Sequence, residues 1–362
     1  MSWPGRVCIV GLGLMGGSLA LAIRHLRPGV HLHGVDREAH TRHEALERNV
    51  VHAAFEALEP AVEGCDLVVL AVPVDAIVEV LPQLRGLVGP QAIVSDMGST
   101  KTRICEAGRV ALGARFVGGH PFTGAEHSGL NAADPFLFEN ALYALTCDDP
   151  DEERARLLKH FLESLGAQVV FLPPPEHDRI VAHVSHLPQL LATTLCDQVR
   201  TQSQTNPLYR ELAAGGFRDL TRVAASPYAL WGSILRDNRT AVDAALAALQ
   251  AQLQQVRNEL QQGTLEQRFE RAASFRRQLP WRSKGLLKPL QRIALVIEDR
   301  PGELVKVLQV LLEQRINLKD IELRKTREGD GSTFHLYVES ASAAQRGAQA
   351  LQQRGWEAQQ VA

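Results

Sequence analysis

Cysteine is scarce and widely scattered: Cys8, Cys65, Cys105, Cys147 and Cys196 are five in number and mostly embedded in apolar strand-like or helix-like stretches. Disulfide frameworks and zinc sites use paired spacings, so buried reduced thiols are expected. Excess charge is missing too. With 39 Lys and Arg against 41 Asp and Glu, the formal net charge of −2 offers no global attraction to nucleic acid or acidic membranes. No apolar run approaches a membrane span, and Met1-Ser2-Trp3-Pro4-Gly5-Arg6 contains no apolar core of a signal peptide. A cytoplasmic protein is expected, with no nucleic-acid, membrane or metal partner. Its 362 residues suffice for two or three domains, each with its own core.

What is present is concentrated first in Val7 to Ser18, VCIVGLGLMGGS. A β-branched apolar run stops at Gly11, and Gly13 and Gly16 complete a G-x-G-x-x-G/A pattern before a helical pattern begins. Free N–H groups at such a helix start favour a phosphate. Gly11 permits the turn, Gly13 lets backbone approach a pyrophosphate, and Gly16 lets the helix close on the sheet. The Lys of a Walker-type loop is absent. Glycines alone are a weak signal, but His31 to Val35 reads as a strand ending in Asp36, about 20 residues on, where an acid binds the adenosine ribose. Gly11, Gly13, Leu14, Met15, Gly16, Asp36, Val72 and Pro73 are the expected cofactor-binding residues. A carboxylate at position 36 favours NAD over NADP.

Further strands are expected at Asp66–Pro73, Ala92–Gly98, Arg115–Pro121, Leu142–Thr146 and Gln168–Leu172. Near-continuous apolar strands alternating with helices predict an α/β, doubly wound, mostly parallel Rossmann-like sheet over residues 1–173. Residues 174–280 contain no strand pattern and predict an all-helical domain. There Val242, Leu246, Leu249, Leu253, Val256 and Leu260 form a stripe that needs a partner helix, which points to a homodimer. A basic connector (Arg276 to Pro289) follows. Residues 290–362 read as βαββαβ, a small ferredoxin-like domain.

Ligands of doubly wound sheets sit beyond the carboxyl ends of the strands. Those ends carry Val72-Pro73, Gly98-Ser99-Thr100-Lys101 and His120-Pro121-Phe122-Thr123-Gly124-Ala125-Glu126. If their strands are neighbours, about 4.8 Å apart, Ser99 could hydrogen-bond His120 and fix its tautomer for alcohol oxidation. The bland alternative makes Ser99 a helix N-cap and His120 a turn residue. In the helical domain, His177 caps or packs near a helix start, and His186 reads as a core histidine when taken alone. Arg222 either pairs with Asp219 at i, i+3 or grips a substrate carboxylate.

Taken together, GLGLMGGS, GSTK, HPFTGAE, HDRIVAHVSHLPQ and GGFRDLTRVAASPYALW resemble the prephenate/arogenate dehydrogenase family of tyrosine biosynthesis. The tail IEDRPGELVKVLQVLLEQRINLKDIE resembles an ACT regulatory domain. The resemblance implies NAD-dependent oxidative decarboxylation of prephenate to 4-hydroxyphenylpyruvate, with arogenate or dual use as the alternative. It also implies that His120 and Ser99 are catalytic and that Arg222 holds a carboxylate. Glu126, His186, Gln189, Gly215, Asp219 and Trp231 fall at the family's pocket and gating positions. Gln189 stands where many prephenate-specific members carry a second histidine, and Gln cannot become cationic. A tyrosine or phenylalanine effector at the ACT-like tail and a homodimer are further implications.

Two rival readings stay open at this stage. A β-hydroxyacid dehydrogenase shares the layout but relies on a helical-domain lysine, and none stands out between Glu176 and Phe275. A non-catalytic NAD and amino-acid sensor would keep the glycines and the tail but need not keep Ser99, His120 and Arg222 together.

Overall fold

The computed structural model describes residues 3–124, 127–147, 149–279, 290–298, 300–327 and 331–361. The chain divides into two compact units, Met1–Ser274 and Phe275–Ala362. The first begins with β1 (Arg6–Val10), α1 (Leu14–Leu26), β2 (His31–Val35), α2 (Ala39–Glu47), β3 (Ala53–Phe55), α3 (Leu58–Val62) and β4 (Leu67–Leu70). It continues through α4 (Val74–Val80), β5 (Ile93–Asp96), α5 (Thr102–Leu112), β6 (Phe116–Pro121), β7 (Leu142–Thr146), α6 (Glu153–Ser164) and β8 (Gln168–Phe171).

These strands form one eight-stranded sheet in the order β3-β2-β1-β4-β5-β6-β7-β8. All pairs are parallel except β6 with β7. Successive side chains alternate between two cores. Val7, Ile9, Leu67 and Val69 face α1 and α6, while Cys8, Val10, Val68 and Leu70 face α4 and α5. Both faces are therefore buried, which is why the strands read as unbroken apolar runs. The architecture is the expected Rossmann-like sheet, with one addition. β3 holds three half-buried residues, too few to show a period, and the sequence reading passed over it.

Seven helices follow: α7 (Pro174–Val181), α8 (Leu187–Ser203), α9 (Leu208–Glu211), α10 (Gly215–Thr221), α11 (Tyr228–Asp237), α12 (Arg239–Gln262) and α13 (Glu266–Gln278). A π-helical turn, Ala182–His186, joins α7 to α8. The helices α11 and α12 are separated at Asn238, and Pro227 is the N-cap of α11. The α12 stripe is buried only at its start. Val242 is 5 % exposed, Leu253 52 % and Leu260 66 %, so the far end presents bare apolar surface, as a seam awaiting a partner would.

The second unit contains β9 (Gln291–Ile297), α14 (Glu303–Glu313), β10 (Leu318–Arg327), β11 (Gly331–Val338), α15 (Ala341–Gln353) and β12 (Ala358–Val361). Its antiparallel sheet has the order β10-β11-β9-β12, the βαββαβ arrangement expected from the tail. Ile293, Leu295, Val307, Leu311, Leu336, Ala344 and Leu351 share one core. Most of the basic connector, residues 280–289, lies outside the described residues, as do Asp299 and residues 328–330. All five cysteines are free thiols. Among the described residues no helix is long and apolar enough to cross a membrane.

Candidate active site

The strand order reverses between β1 and β4, and the glycine loop lies at that switch point. A Cβ on Gly11, which adopts φ +96°, would stand 2.6 Å from the Ala71 carbonyl oxygen and 2.8 Å from Val72 Cγ1. One on Gly16 would stand 1.9 Å from the Gly11 oxygen. Both glycines are required by close approach. Gly13 differs, since nothing lies within 4 Å of its would-be Cβ. It faces open space at the α1 N-terminus, the cradle that a pyrophosphate requires. Leu14 and Met15 form the first helical turn, and Pro73 is the N-cap of α4. Asp36 closes the far side. Its Oδ2 accepts the Leu12 N–H at 3.0 Å and its Oδ1 the Glu38 N–H at 3.0 Å. The carboxylate is thereby held beside the loop, with lone pairs left for a ribose diol. The residues present fit a dinucleotide.

Beside this crevice β5 and β6 are neighbours, as expected. Their ends are fastened by a wholly buried ion pair of Asp96 and Lys101. Asp96 Oδ1 accepts the Gly119 N–H at 3.0 Å, its Oδ2 accepts the Gly98 N–H at 2.8 Å, and Lys101 Nζ donates to the Gly119 oxygen at 2.6 Å. This clamp fixes the residue just before His120. In the sequence Lys101 stands out only as part of a strand end. The missed signal was an acid closing one strand and a lysine five residues later.

The expected Ser99–His120 hydrogen bond is not formed. His120 Nδ1 is instead bonded to His177 Nε2 at 2.8 Å, and His177 Nδ1 to Asp178 Oδ1 at 2.9 Å. Ser99 is not a helix cap either. α5 starts after Lys101 without a side-chain cap of its own, and Asp178 reaches in to accept the N–H groups of Lys101 and Thr102. His120 is half-buried on β6 rather than in a turn, and His177 is fully buried. Burial, followed by the neighbouring charges of His177, Lys101 and His186, holds His120 well below the ordinary histidine range. Burial also lowers His177, against the opposing pull of Asp178. Asp178 is raised by burial, but hydrogen bonds from His177 and Thr102 outweigh that and hold it below the usual carboxylate range.

His186 sits on the π-helical turn, 1 % exposed, with its pKa lowered to about 4 by burial. Asn238 Nδ2 lies 3.2 Å from His186 Nδ1 and donates to the Asp178 carbonyl at 2.7 Å. The Trp231 ring stands edge-on to His186 at 5.9 Å, and its buried indole N–H has no hydrogen-bond partner among the described residues. Gln189 is 5 % exposed and donates from Nε2 to the Val223 oxygen at 3.0 Å, so it tethers the turn that begins at Arg222. Gly215 opens α10. Gly215, Asp219 and Arg222 are exposed. Glu126 lies outside the described residues. Among the described residues no group of three or more His, Cys, Asp or Glu could hold a metal.

The family model "Prephenate dehydrogenase, nucleotide-binding domain" matches residues 19–171, and "Prephenate dehydrogenase, dimerization domain" matches residues 173–274. Prephenate dehydrogenase of Bacillus subtilis is 31 % identical over 355 residues, 96 % of each chain. Among solved structures, Aquifex aeolicus prephenate dehydrogenase in complex with hydroxyphenyl propionate and NAD+ superposes with a TM-score of 0.70 at 29 % identity. That superposition covers 75 % of this chain and 96 % of the other. Synechocystis arogenate dehydrogenase gives 0.66 at 32 % identity, over 75 % of this chain and 98 % of the other. The glycine crevice, the buried clamp behind His120 and these matches agree: the chain belongs to the prephenate dehydrogenase family.

Proposed function

We propose that the protein catalyses the NAD-dependent oxidative decarboxylation of prephenate to 4-hydroxyphenylpyruvate. The observation that carries this is the placement of His120. A histidine with one ring nitrogen already committed is clamped at a strand end, beside a crevice whose glycines and Asp36 suit a dinucleotide. Bound NAD would supply the hydride acceptor. His120 accepts the ring-hydroxyl proton as hydride leaves the same carbon, and returns it to the phenolate oxygen once carbon dioxide has departed. Aromatisation drives the step, so orientation and one proton contact suffice. Arg222 is suited to grip a substrate carboxylate with two parallel hydrogen bonds, and Ser99, in the loop between Asp96 and Lys101, to contact the same hydroxyl.

Arogenate is the second reading, and Gln189 favours it. Its buried amide faces Val223 beside Arg222 and cannot supply the cation that a second histidine would. The chain is further read as a homodimer through its helical segment, with residues 290–362 as an ACT domain binding tyrosine or phenylalanine. A chain ending before residue 290 is expected to keep turnover and lose amino-acid sensitivity.

The test is NADH formation by the purified protein with prephenate and arogenate side by side. Turnover of prephenate confirms the reading, preference for arogenate moves it to the second substrate, and turnover of neither overturns both.

A further inference from the structure

The chain of hydrogen bonds behind His120 has a direction. Asp178 is an ionised carboxylate and accepts only. It takes the Lys101 N–H at 2.7 Å and the Thr102 N–H at 2.8 Å, so the His177 Nδ1 that faces it at 2.9 Å is a donor. A neutral imidazole with its proton on Nδ1 has a bare Nε2. His177 Nε2 is therefore an acceptor, and His120 Nδ1, 2.8 Å away, carries the proton between them. That leaves the lone pair of His120 on Nε2.

We propose that His177 and Asp178 are positioning residues that lock His120 in its Nδ1–H tautomer, so that Nε2 alone is presented to the substrate hydroxyl. A serine in this place would not select a tautomer, because a hydroxyl both donates and accepts. A histidine already committed to a carboxylate can only accept. When Nε2 takes up a proton, the Nδ1 bond persists, and the new positive charge lies one ring away from the Asp178 carboxylate. When the proton returns to substrate, the starting tautomer is restored. The charged and titratable groups facing His120 are His177 from α7, Lys101 from the turn before α5, and His186 from the π-helical turn. Burial keeps His177 neutral, as the arrangement requires. The proposal rests on the reading of His120 as the group that receives the hydroxyl proton.

The test is 15N NMR of the full-length protein labelled at histidine, with the His120 signals identified by difference from His120→Asn. The expected spectrum shows one tautomer, protonated at Nδ1 and bare at Nε2, above neutral pH. In His177→Phe both tautomers appear, and kcat falls about 10–100-fold while KM and the NAD dissociation constant stay within about twofold. In His177→Gln, with the amide NH2 committed to Asp178 as the His177 Nδ1–H was and the oxygen left to face His120, the single tautomer and most of kcat return. A wild-type His120 protonated at Nε2, or present as a mixture, overturns the proposal. So does a His177→Phe protein with unchanged kcat, or one whose loss is matched in NAD affinity and not relieved by Gln. A near-normal rate in His120→Asn overturns the functional reading and the proposal with it, and is separable because the tautomer spectrum does not depend on turnover.

Discussion

Asp178 closes the amino end of the helix that begins at Thr102. Its two oxygens accept the backbone N–H of Lys101 at 2.7 Å and of Thr102 at 2.8 Å, across a separation of 76 residues or more in the chain. The cap of a nucleotide-domain helix is thus lent by the helical segment. Removing it leaves the buried Lys101 N–H and the part-buried Thr102 N–H unpaired and the helix dipole uncompensated at that end. Asp178→Ala is expected to lower unfolding free energy by about 2 kcal/mol or more, measured by urea denaturation.

The glycine loop separates packing from binding. Gly16→Ala would drive a Cβ to 1.9 Å from the Gly11 oxygen, so loss of the folded protein is expected. Gly13→Ala meets nothing within 4 Å and is expected to fold with an unchanged melting temperature. Its methyl group enters the space a pyrophosphate would occupy, so NAD affinity, read by fluorescence titration, should fall about tenfold or more.

The Asp96–Lys101 pair is wholly buried. Removing one partner leaves an uncompensated charge in the interior, so Lys101→Met is expected to cost about 3–5 kcal/mol. The double variant Lys101→Met, Asp96→Leu should recover part of that, although Gly98 and Gly119 would lose their acceptor. Paired denaturation curves of the single and double variants check both statements.

Acid should weaken the fold through its buried histidines. Burial lowers His186 from the usual 6.5 to about 4, and His120 and His177 move in the same direction. As pH falls, the unfolded chain takes up protons first. The His186 contribution is therefore full above the unfolded value, declines between 6.5 and about 4, and levels off below. His186 alone accounts for about 3 kcal/mol across that window. Unfolding free energies measured at several pH values should show the decline, and His186→Gln should flatten it.

Much of this was legible in the residues. Val7 to Val10 and Leu67 to Leu70 announced buried parallel strands because both their faces meet helices, and Asp36 marked the end of β2. The tail's βαββαβ order was equally plain. The partnership of His120 was not legible. Spacing placed Ser99 on the adjacent strand end, and neighbouring strands invite neighbouring bonds. His177 reaches His120 only because α7 folds back over the end of α5, a tertiary contact that no period or motif encodes. Asn238 was hidden for the same reason. Inside an apparently continuous helical stretch, nothing marked it as the residue whose amide joins His186 to the Asp178 carbonyl.

The long-range cap also bears on how the molecule is made. A ribosome that has released residues 1–173 has delivered all eight strands of the large sheet, the glycine loop and His120. The groups that finish α4 and α5 have yet to emerge. Asp178 caps α5, Asp237 accepts from Thr100 at 2.5 Å and from Arg103 at 3.4 Å, and Arg236 donates to Asp75 at 2.8 Å. The open end of α5 therefore waits for α7 to leave the exit tunnel, and the ties to Thr100, Arg103 and Asp75 wait for α11. Chains aborted before that point carry a complete phosphate loop on an unfinished scaffold.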